Sequence, residues 1–137
     1  MKLAINNGPN LNLLGKRETD IYGVESFDNY LKFLKEKFPT IIFSFFQSNI
    51  EGELIDEIQR VGFSYDGIIL NPGGYTHTSV AIGDAVKAVS AKVIEVHISN
   101  IFNREEFRKI SYVSANVAGV ISGLGLKGYE LAINYFL

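Results

Sequence analysis

The two histidines of this chain, His77 and His97, lie in loops that follow apolar runs with the length and composition of β-strands. An imidazole gives or takes a proton near neutral pH, so a histidine at a strand end is a candidate acid, base or binding group. Ligands of an open parallel sheet bind outside the carboxyl ends of the strands. One histidine in a loop is more often simply solvated, but two at adjacent strand ends favour a site.

The same strand ends carry further polar residues. Asn10 lies in the first loop, Asn71 opens the second, and Ile98 and Ser99 follow His97 in the third. Asn-Gly-Pro and Asn-Pro-Gly-Gly are also ordinary turn sequences, so these loops alone do not identify a site. The hydroxyl residues at 76, 78 and 79 cap the next helix, present its N-terminus to an anion, or do both.

Residues 13–23 form a long first loop, and such loops are usually functional lids or disordered segments. Arg17 and Tyr22 lie in it between glycines. A cation that closes over a pocket favours the charged form of a nearby tyrosine. On spacing alone, the simpler interpretation is an exposed loop with Tyr22 packed as an anchor. The charged run 104–109 is predicted to be a solvated surface, except that Arg108 points back toward the fourth strand.

Alternating apolar runs and helical periodicities define the elements that position these residues. Strands are predicted at 3–5, 41–46, 68–70, 93–96 and 117–121. Helices are predicted from a Ser26 cap, from a capping box that begins at Ser48, over 78–89, from an Asn103 cap, and after the glycines at 123–128. Strands separated by helices imply a parallel sheet covered on both faces. The prediction is one domain, residues 1–137, an α/β flavodoxin-like three-layer sandwich with a five-stranded parallel sheet of order 2-1-3-4-5.

Composition excludes several classes of protein. The chain has 13 Lys and Arg against 15 Asp and Glu, a net charge of −2, which argues against general nucleic-acid binding. A hydrophobic content of 47% excludes a disordered chain. Without cysteine and with two histidines, neither a thiolate metal site nor a site of several histidines can form, so no metal is expected. No membrane-spanning or targeting segment is predicted.

Three nucleotide- or phosphate-linked alternatives fit poorly. Residues 123–128 match G-x-G-x-x-G after a strand and before a helix, but no acidic residue follows about 20 positions later to hold a ribose. We therefore interpret these glycines as a tight turn with close packing. A flavin site needs a hydroxyl-rich loop after the first strand, where asparagines stand. A phosphoryl-accepting receiver needs acids at the strand ends, where Asn6, Asn7 and Asn71 stand.

Taken together, these segments resemble the type II 3-dehydroquinate dehydratases over nearly the whole chain. Each segment is weak alone, but six occur in order and at fitting distances. They are residues 7–15 with 17–18 and 21–23, 47–49, Asn71 with 73–74 and 76–79, 95–100, 104–108, and 123–125 with 128–129. The resemblance implies a flavodoxin-like fold and conversion of 3-dehydroquinate to 3-dehydroshikimate without a metal, a cofactor or a Schiff-base lysine.

The resemblance also implies residue roles. Tyr22 is the general base, Arg17 on the lid keeps it ionised, and His97 is the acid that protonates the departing hydroxyl. Asn10 helps hold the enolate through a water. The implied substrate-binding groups are Asn71, His77 and Arg108 for ring hydroxyls, the N–H groups of Ile98 and Ser99 for the carboxylate, and Asp84, which reaches a neighbouring subunit's site.

The family further implies a homododecamer built from trimers and a cytoplasmic place in the shikimate pathway of aromatic amino acid biosynthesis. Asn6 departs from the family pattern, because an apolar strand residue is expected there. A non-enzymatic flavodoxin-like module that binds a small anion or nucleotide is the alternative. The lid separates the two hypotheses, since a binding module needs no base.

Overall fold

The computed structural model describes residues 1–137, and its five strands form one parallel sheet of order β2-β1-β3-β4-β5. This confirms the predicted fold class and strand order. The strands are β1 (Lys2–Asn7), β2 (Ile42–Gln47), β3 (Gly67–Asn71), β4 (Lys92–His97) and β5 (Gly119–Ser122). Because all five run in one direction, their carboxyl ends share one edge of the sheet, and every predicted loop of the site begins there.

Helices cover both faces of the sheet. They are α1 (Thr19–Tyr22), α2 (Phe27–Lys37), α3 (Glu51–Gly62), α4 (Val80–Ala88) and α5 (Lys127–Phe136). Alternation along β1 divides the core, because Leu3 and Ile5 pack toward α2 and α5 whereas Ala4 packs toward α3 and α4. None of the helices has the length and apolar composition that crossing a bilayer requires.

Two predicted helix caps are right and two are wrong. Ser79 caps α4 by accepting a hydrogen bond from the Ile82 N–H at 2.9 Å. Ser26 caps α2 by accepting a hydrogen bond from the Asn29 N–H. Ser48 does not begin α3, because its hydroxyl accepts from the N–H of Ile50 and donates to Glu53, so the helix starts three residues later. Asn103 caps nothing; two short 3-10 turns, Ile101–Asn103 and Glu106–Lys109, replace the predicted helix.

The first strand is longer than predicted and runs through Asn6 to Asn7. Both side chains are fully buried. The Asn7 Oδ1 accepts a hydrogen bond from the Tyr129 hydroxyl at 2.8 Å. Neither amide atom of Asn6 has a hydrogen-bond partner, on the face where an apolar side chain was expected. Asn6 therefore lowers the stability of the sheet without a visible gain.

Candidate active site

A cavity of about 260 Å³ opens at the carboxyl ends of β1, β3 and β4. Nine of the ten predicted site residues line it: Asn10, Arg17, Tyr22, Asn71, His77, His97, Ile98, Ser99 and Arg108. A larger, open depression of about 870 Å³ lies at the other end of the sheet, but no histidine or arginine lines it. We therefore take the smaller cavity, called the cleft below, as the site.

The predicted base lies at the end of α1, the single helical turn within the first loop. The Tyr22 hydroxyl accepts a hydrogen bond from Nη1 of Arg104 at 2.9 Å. The Arg17 guanidinium lies 4.9 Å from the centre of the Tyr22 ring and pairs with Glu18 at 3.2 Å. Arg17 thus contacts the ring face, whereas a different arginine contacts the hydroxyl. Tyr22 is a cleft residue and not merely a packed anchor.

His97 ends β4 and is held by a buried carboxylate. Its Nε2 lies 2.6 Å from Oε1 of Glu95, a residue with no exposed surface. The two side chains are two positions apart on one strand and so project from the same face of the sheet. A carboxylate only accepts hydrogen bonds, so Nε2 carries the proton and Nδ1 is left for the cleft.

His77 lies in a 3-10 turn after β3 and is held in the opposite manner. Its Nδ1 lies 2.7 Å from the Ile110 carbonyl oxygen, which can only accept, so Nδ1 is the donor. Burial is the main cause that lowers the pKa of His77, and the bond to Ile110 opposes it. Near neutrality His77 is uncharged, and Nε2 offers the cleft an acceptor. The two imidazole rings stack 6.5 Å apart.

The loop after β4 offers two free backbone donors. No acceptor in the protein takes a hydrogen bond from the N–H of Ile98 or Ser99. The following glycine turn holds their backbone from behind, because the Gly123 N–H donates to the His97 carbonyl and the Gly125 N–H donates to the Ile98 carbonyl. Paired N–H groups fixed in this way suit a carboxylate.

Charge in the cleft favours an anion. Three guanidinium groups line it, and two carboxylates, Glu18 and Glu105, lie beside them. Arg108 pairs with Glu105 at 2.5 Å, while Arg104 lies 3.8 Å from the same carboxylate. The N–H of Glu105 itself and then the Arg108 guanidinium lower the pKa of that carboxyl group, which keeps it ionised. These three guanidinium groups and two carboxylates together leave one positive charge for a ligand.

The two asparagines of the cleft differ in how many hydrogen bonds their side chains already make within the protein. Asn10 adopts a left-handed conformation, which asparagine tolerates, and its side chain has no partner in the protein. The Asn71 amide already donates to the Tyr129 hydroxyl at 3.0 Å and accepts from the Gly73 N–H at 3.1 Å. Burial raises the pKa of Tyr129, which keeps it a phenol that donates to Asn7.

Asp84 is the predicted residue that the structure does not bring to the cleft of its own chain. It lies exposed on α4. Its predicted contact with a neighbouring subunit stays a prediction. No group of three or more His, Asp or Glu side chains is arranged to hold a metal ion.

Two residues in contact with the predicted acid and base were missed in the sequence. Arg104 belongs to the charged run interpreted as a solvated surface, yet its side chain is 16% exposed. Glu95 is a charged residue inside the apolar strand segment 93–96, two positions before His97. That second signal was readable, because strand alternation places both side chains on one face. The orientation of Arg104 depends on irregular turns that carry no such periodicity.

Comparison with known proteins gives one family. The model of dehydroquinase class II matches residues 1–137. The 3-dehydroquinate dehydratase of Fusobacterium nucleatum is 54% identical over 142 residues, covering 100% of this chain and 97% of that protein. That of Caldicellulosiruptor saccharolyticus is 52% identical and covers 96% and 93%. The crystal structure of the type II dehydroquinase from Butyrivibrio crossotus has a TM-score of 0.95 and 49% identity, with 99% and 97% covered.

Proposed function

This chain belongs to the class II dehydroquinase family, and we propose that Tyr22 and His97 are the base and the acid with which it removes water from 3-dehydroquinate. The activity is that of a lyase, and the product, 3-dehydroshikimate, is a cyclic enone. One observation carries the assignment. A phenol held by a guanidinium and an imidazole held by a carboxylate face the same cavity.

Tyr22 takes the proton from the carbon beside the ketone. This carbon acid is weak, so the base must be the phenolate rather than the phenol. The hydrogen bond from Arg104 is stronger to an oxygen that carries negative charge, and therefore favours the phenolate. The Arg17 guanidinium over the ring adds a second favourable charge. Closure of the loop around both groups excludes water and strengthens these interactions.

Loss of that proton leaves an enolate, whose oxygen needs donors that are already in place. Asn10 supplies one through a bridging water, since its side-chain amide faces the cleft and is free of other partners. The enolate electrons then form the carbon–carbon double bond as the neighbouring carbon–oxygen bond breaks. A second proton, supplied by His97, joins the departing hydroxide, so the products are the enone and water, with the first proton left on Tyr22.

His97 delivers that proton from Nδ1. The Glu95 carboxylate, which is 2.6 Å from Nε2, stabilises the imidazolium that the acid must be before transfer. The base comes from the lid and the acid from a strand end. This arrangement allows them to approach opposite faces of the ring, as an anti elimination requires.

The remaining groups hold the substrate. The free N–H groups of Ile98 and Ser99 bind its carboxylate, and Arg108 donates a hydrogen bond to one of the ring hydroxyls. The Nε2 of His77 accepts a hydrogen bond from a ring hydroxyl, because its Nδ1 is committed to Ile110. Asn71 binds a second hydroxyl through the amide hydrogen that Tyr129 leaves unused.

The test is formation of the conjugated enone from 3-dehydroquinate, followed by ultraviolet absorbance without added cofactor and with a chelator present. We expect full activity under these conditions. We expect Tyr22→Phe to lose about 10²- to 10⁴-fold in kcat, the usual contribution of a general base, while it still binds substrate. Tyr135→Phe, at an exposed tyrosine of α5, is the matched control. Loss of activity on chelation, or full kcat in Tyr22→Phe, contradicts the mechanism.

The alternative, a non-enzymatic flavodoxin-like module, is not favoured. The related proteins are named as dehydratases, and the cleft holds an acid and a base rather than a phosphate cradle. A nucleotide or flavin that raised the unfolding midpoint, in a protein without dehydratase activity, would restore this alternative.

We propose that the chain assembles into trimers and dodecamers, as the resemblance implies, with Asp84 reaching the neighbouring subunit's cleft. Support comes from an exposed apolar surface on α4 and the turns beside the cleft: Val80, Phe107, Ile110 and Tyr112. Twelve copies of a 15.2 kDa chain give about 182 kDa. Light scattering after size exclusion measures this mass, and a 15.2 kDa particle contradicts the proposal.

On the basis of the resemblance, we also propose that the protein acts in the cytoplasm on the shikimate pathway. Fractionation of the source cells, with the dehydratase assay on each fraction, tests the location. Deletion of the coding gene should create a requirement for aromatic amino acids, and growth without them contradicts the biosynthetic role.

A further inference from the structure

Ser111 and Ser114 lie in the segment between the Glu106–Lys109 turn and β5. Hydrogen bonds connect them to Glu95, the carboxylate that contacts His97. Glu95 uses both oxygens: Oε1 contacts Nε2 of His97 at 2.6 Å, and Oε2 contacts the Ser114 Oγ at 2.7 Å. The Ser114 Oγ lies 2.8 Å from the Ser111 Oγ. No other side-chain hydrogen bond reaches Glu95, so the rotation of its carboxylate depends strongly on these groups.

The hydrogen bonds can run in only one direction. An ionised carboxylate accepts, so the single hydroxyl proton of Ser114 goes to Glu95. The 2.8 Å contact with Ser111 must therefore be donated by Ser111. The Ser111 Oγ in turn accepts from the N–H groups of Val113 at 3.1 Å and Ser114 at 2.9 Å. Every bond in this relay points toward the carboxylate, and such chains polarise one another.

We propose that Ser114 is a positioning residue for the acid, with Ser111 as its support. The relay fixes the rotation of the Glu95 carboxylate. The carboxylate then keeps the proton of neutral His97 on Nε2 and leaves Nδ1 facing the cleft. The inference rests on the proposed role of His97. Its physical basis is that a carboxylate with no exposed surface cannot replace a lost donor with bulk water.

The consequence of removing the relay follows from the same bonds. Without the Ser114 hydroxyl, one oxygen of Glu95 has no donor, and the carboxylate can rotate or take up a proton. A protonated Glu95 donates to Nε2, which moves the proton of neutral His97 to Nδ1. The acid then loses its stabilising charge, whereas the groups that bind substrate are unchanged.

The first experiment measures kcat and KM with 3-dehydroquinate for the full-length protein and three variants. We expect Ser114→Ala to lower kcat by about 10-fold or more, the loss typical of groups that orient a functional ligand, with KM nearly unchanged. Ser114→Thr keeps the hydroxyl and should restore most of kcat. Ser90→Ala removes a hydroxyl bonded to the Gly62 carbonyl at the other end of the sheet and is the matched control.

A second readout does not depend on turnover. Because the chain has only two histidines, ¹⁵N-histidine labelling gives an NMR spectrum with few signals. The chemical shifts of the ring nitrogens report which nitrogen is protonated. We expect Nε2–H for His97 in the unmodified protein and a shift toward Nδ1–H in Ser114→Ala. Denaturation curves check that the variants fold.

The outcomes are distinguishable. An active parent enzyme whose Ser114→Ala variant keeps kcat and the His97 spectrum overturns the positioning role. An equal loss of kcat in Ser114→Thr and Ser114→Ala, with unchanged ring shifts, also overturns it. An inactive parent enzyme overturns the proposed function instead, and the spectrum still decides whether the relay sets the proton position.

Discussion

Replacing Arg104 by methionine isolates the contribution of the guanidinium to the base, because methionine keeps the length of the side chain and removes its charge. The Nη1 atom lies 2.9 Å from the Tyr22 oxygen, and the side chain is 16% exposed. Unit charges at that separation interact by about 6 kcal/mol at an effective dielectric of about 20 and by about 1.4 kcal/mol at about 80. A hydrogen bond to a charged group has a net value of about 1.5–3 kcal/mol, which lies inside this window.

Since about 1.4 kcal/mol corresponds to ten-fold in rate, we expect kcat/KM of Arg104→Met to fall about 10- to 150-fold. The assay is enone formation, repeated with substrate deuterated at the carbon beside the ketone. If the guanidinium stabilises the base, proton removal becomes slower, and the isotope effect is at least as large as in the parent enzyme.

The matched control is Arg60→Met. Arg60 donates two hydrogen bonds to Glu57 at 2.7 Å on α3, far from the cleft, and its loss should leave kcat/KM unchanged. An Arg104→Met enzyme with the parent kcat/KM refutes the electrostatic role of Arg104. It would leave Arg17 as the one guanidinium beside Tyr22.

Four further results are expected. Affinity of the non-turning Tyr22→Phe variant for substrate, measured by calorimetry, should hold at neutral pH and fall as the pH drops below the ordinary histidine pKa of about 6.5, because protonation removes the His77 acceptor. The free energy of unfolding should fall as the pH drops from about 6.5 toward the lowered pKa of folded His77, since the unfolded chain takes up that proton first. Asn6→Val should raise the free energy of unfolding by about 1–3 kcal/mol in urea, because it removes a buried amide without partners. Tyr129→Phe should lower it by about 1–3 kcal/mol, because two buried amides lose their shared partner.

The affinity measurement and the two stability variants each have a clear contrary outcome. If a His77→Gln, Tyr22→Phe double variant loses the same affinity at low pH, protonation of His77 is not the cause of the pH effect. If Asn6→Val unfolds at a lower urea concentration than the parent protein, the Asn6 amide has a hydrogen-bond partner, such as a buried water. A Tyr129→Phe protein of unchanged stability would mean that the two amides find other partners.

The position of the site was predictable because it follows from topology. Alternating strands and helices dictate a parallel sheet, and a parallel sheet dictates which loops meet. The sequence therefore predicts that His77, His97 and Asn71 lie at one edge of the sheet, and all three line the cleft. Ser26 was predicted as a cap because its partner, the Asn29 N–H, is three residues away.

The predictions that failed depend on contacts between distant residues. Ser48 matched a capping box, but its hydroxyl is drawn to Glu53 and the helix starts later. Arg104 is oriented by Tyr22, 82 residues away in sequence. Ser114 reaches Glu95 across 19 residues and two irregular turns. No periodicity encodes such pairs, so a sequence pattern finds the elements and misses the hydrogen bonds between their loops.

The glycine turn after β5 has a consequence for how such spacings are interpreted. Gly123 and Gly125 both have positive φ, and a Cβ on Gly123 would lie 2.9 Å from the Cβ of Asn100. Their N–H groups already donate to the carbonyls of His97 and Ile98, so neither is left to cradle a pyrophosphate. A genome survey keyed on this glycine pattern alone would class the chain with nucleotide-dependent enzymes, and a screen of nucleotide mimics against this turn would meet amides that are already occupied.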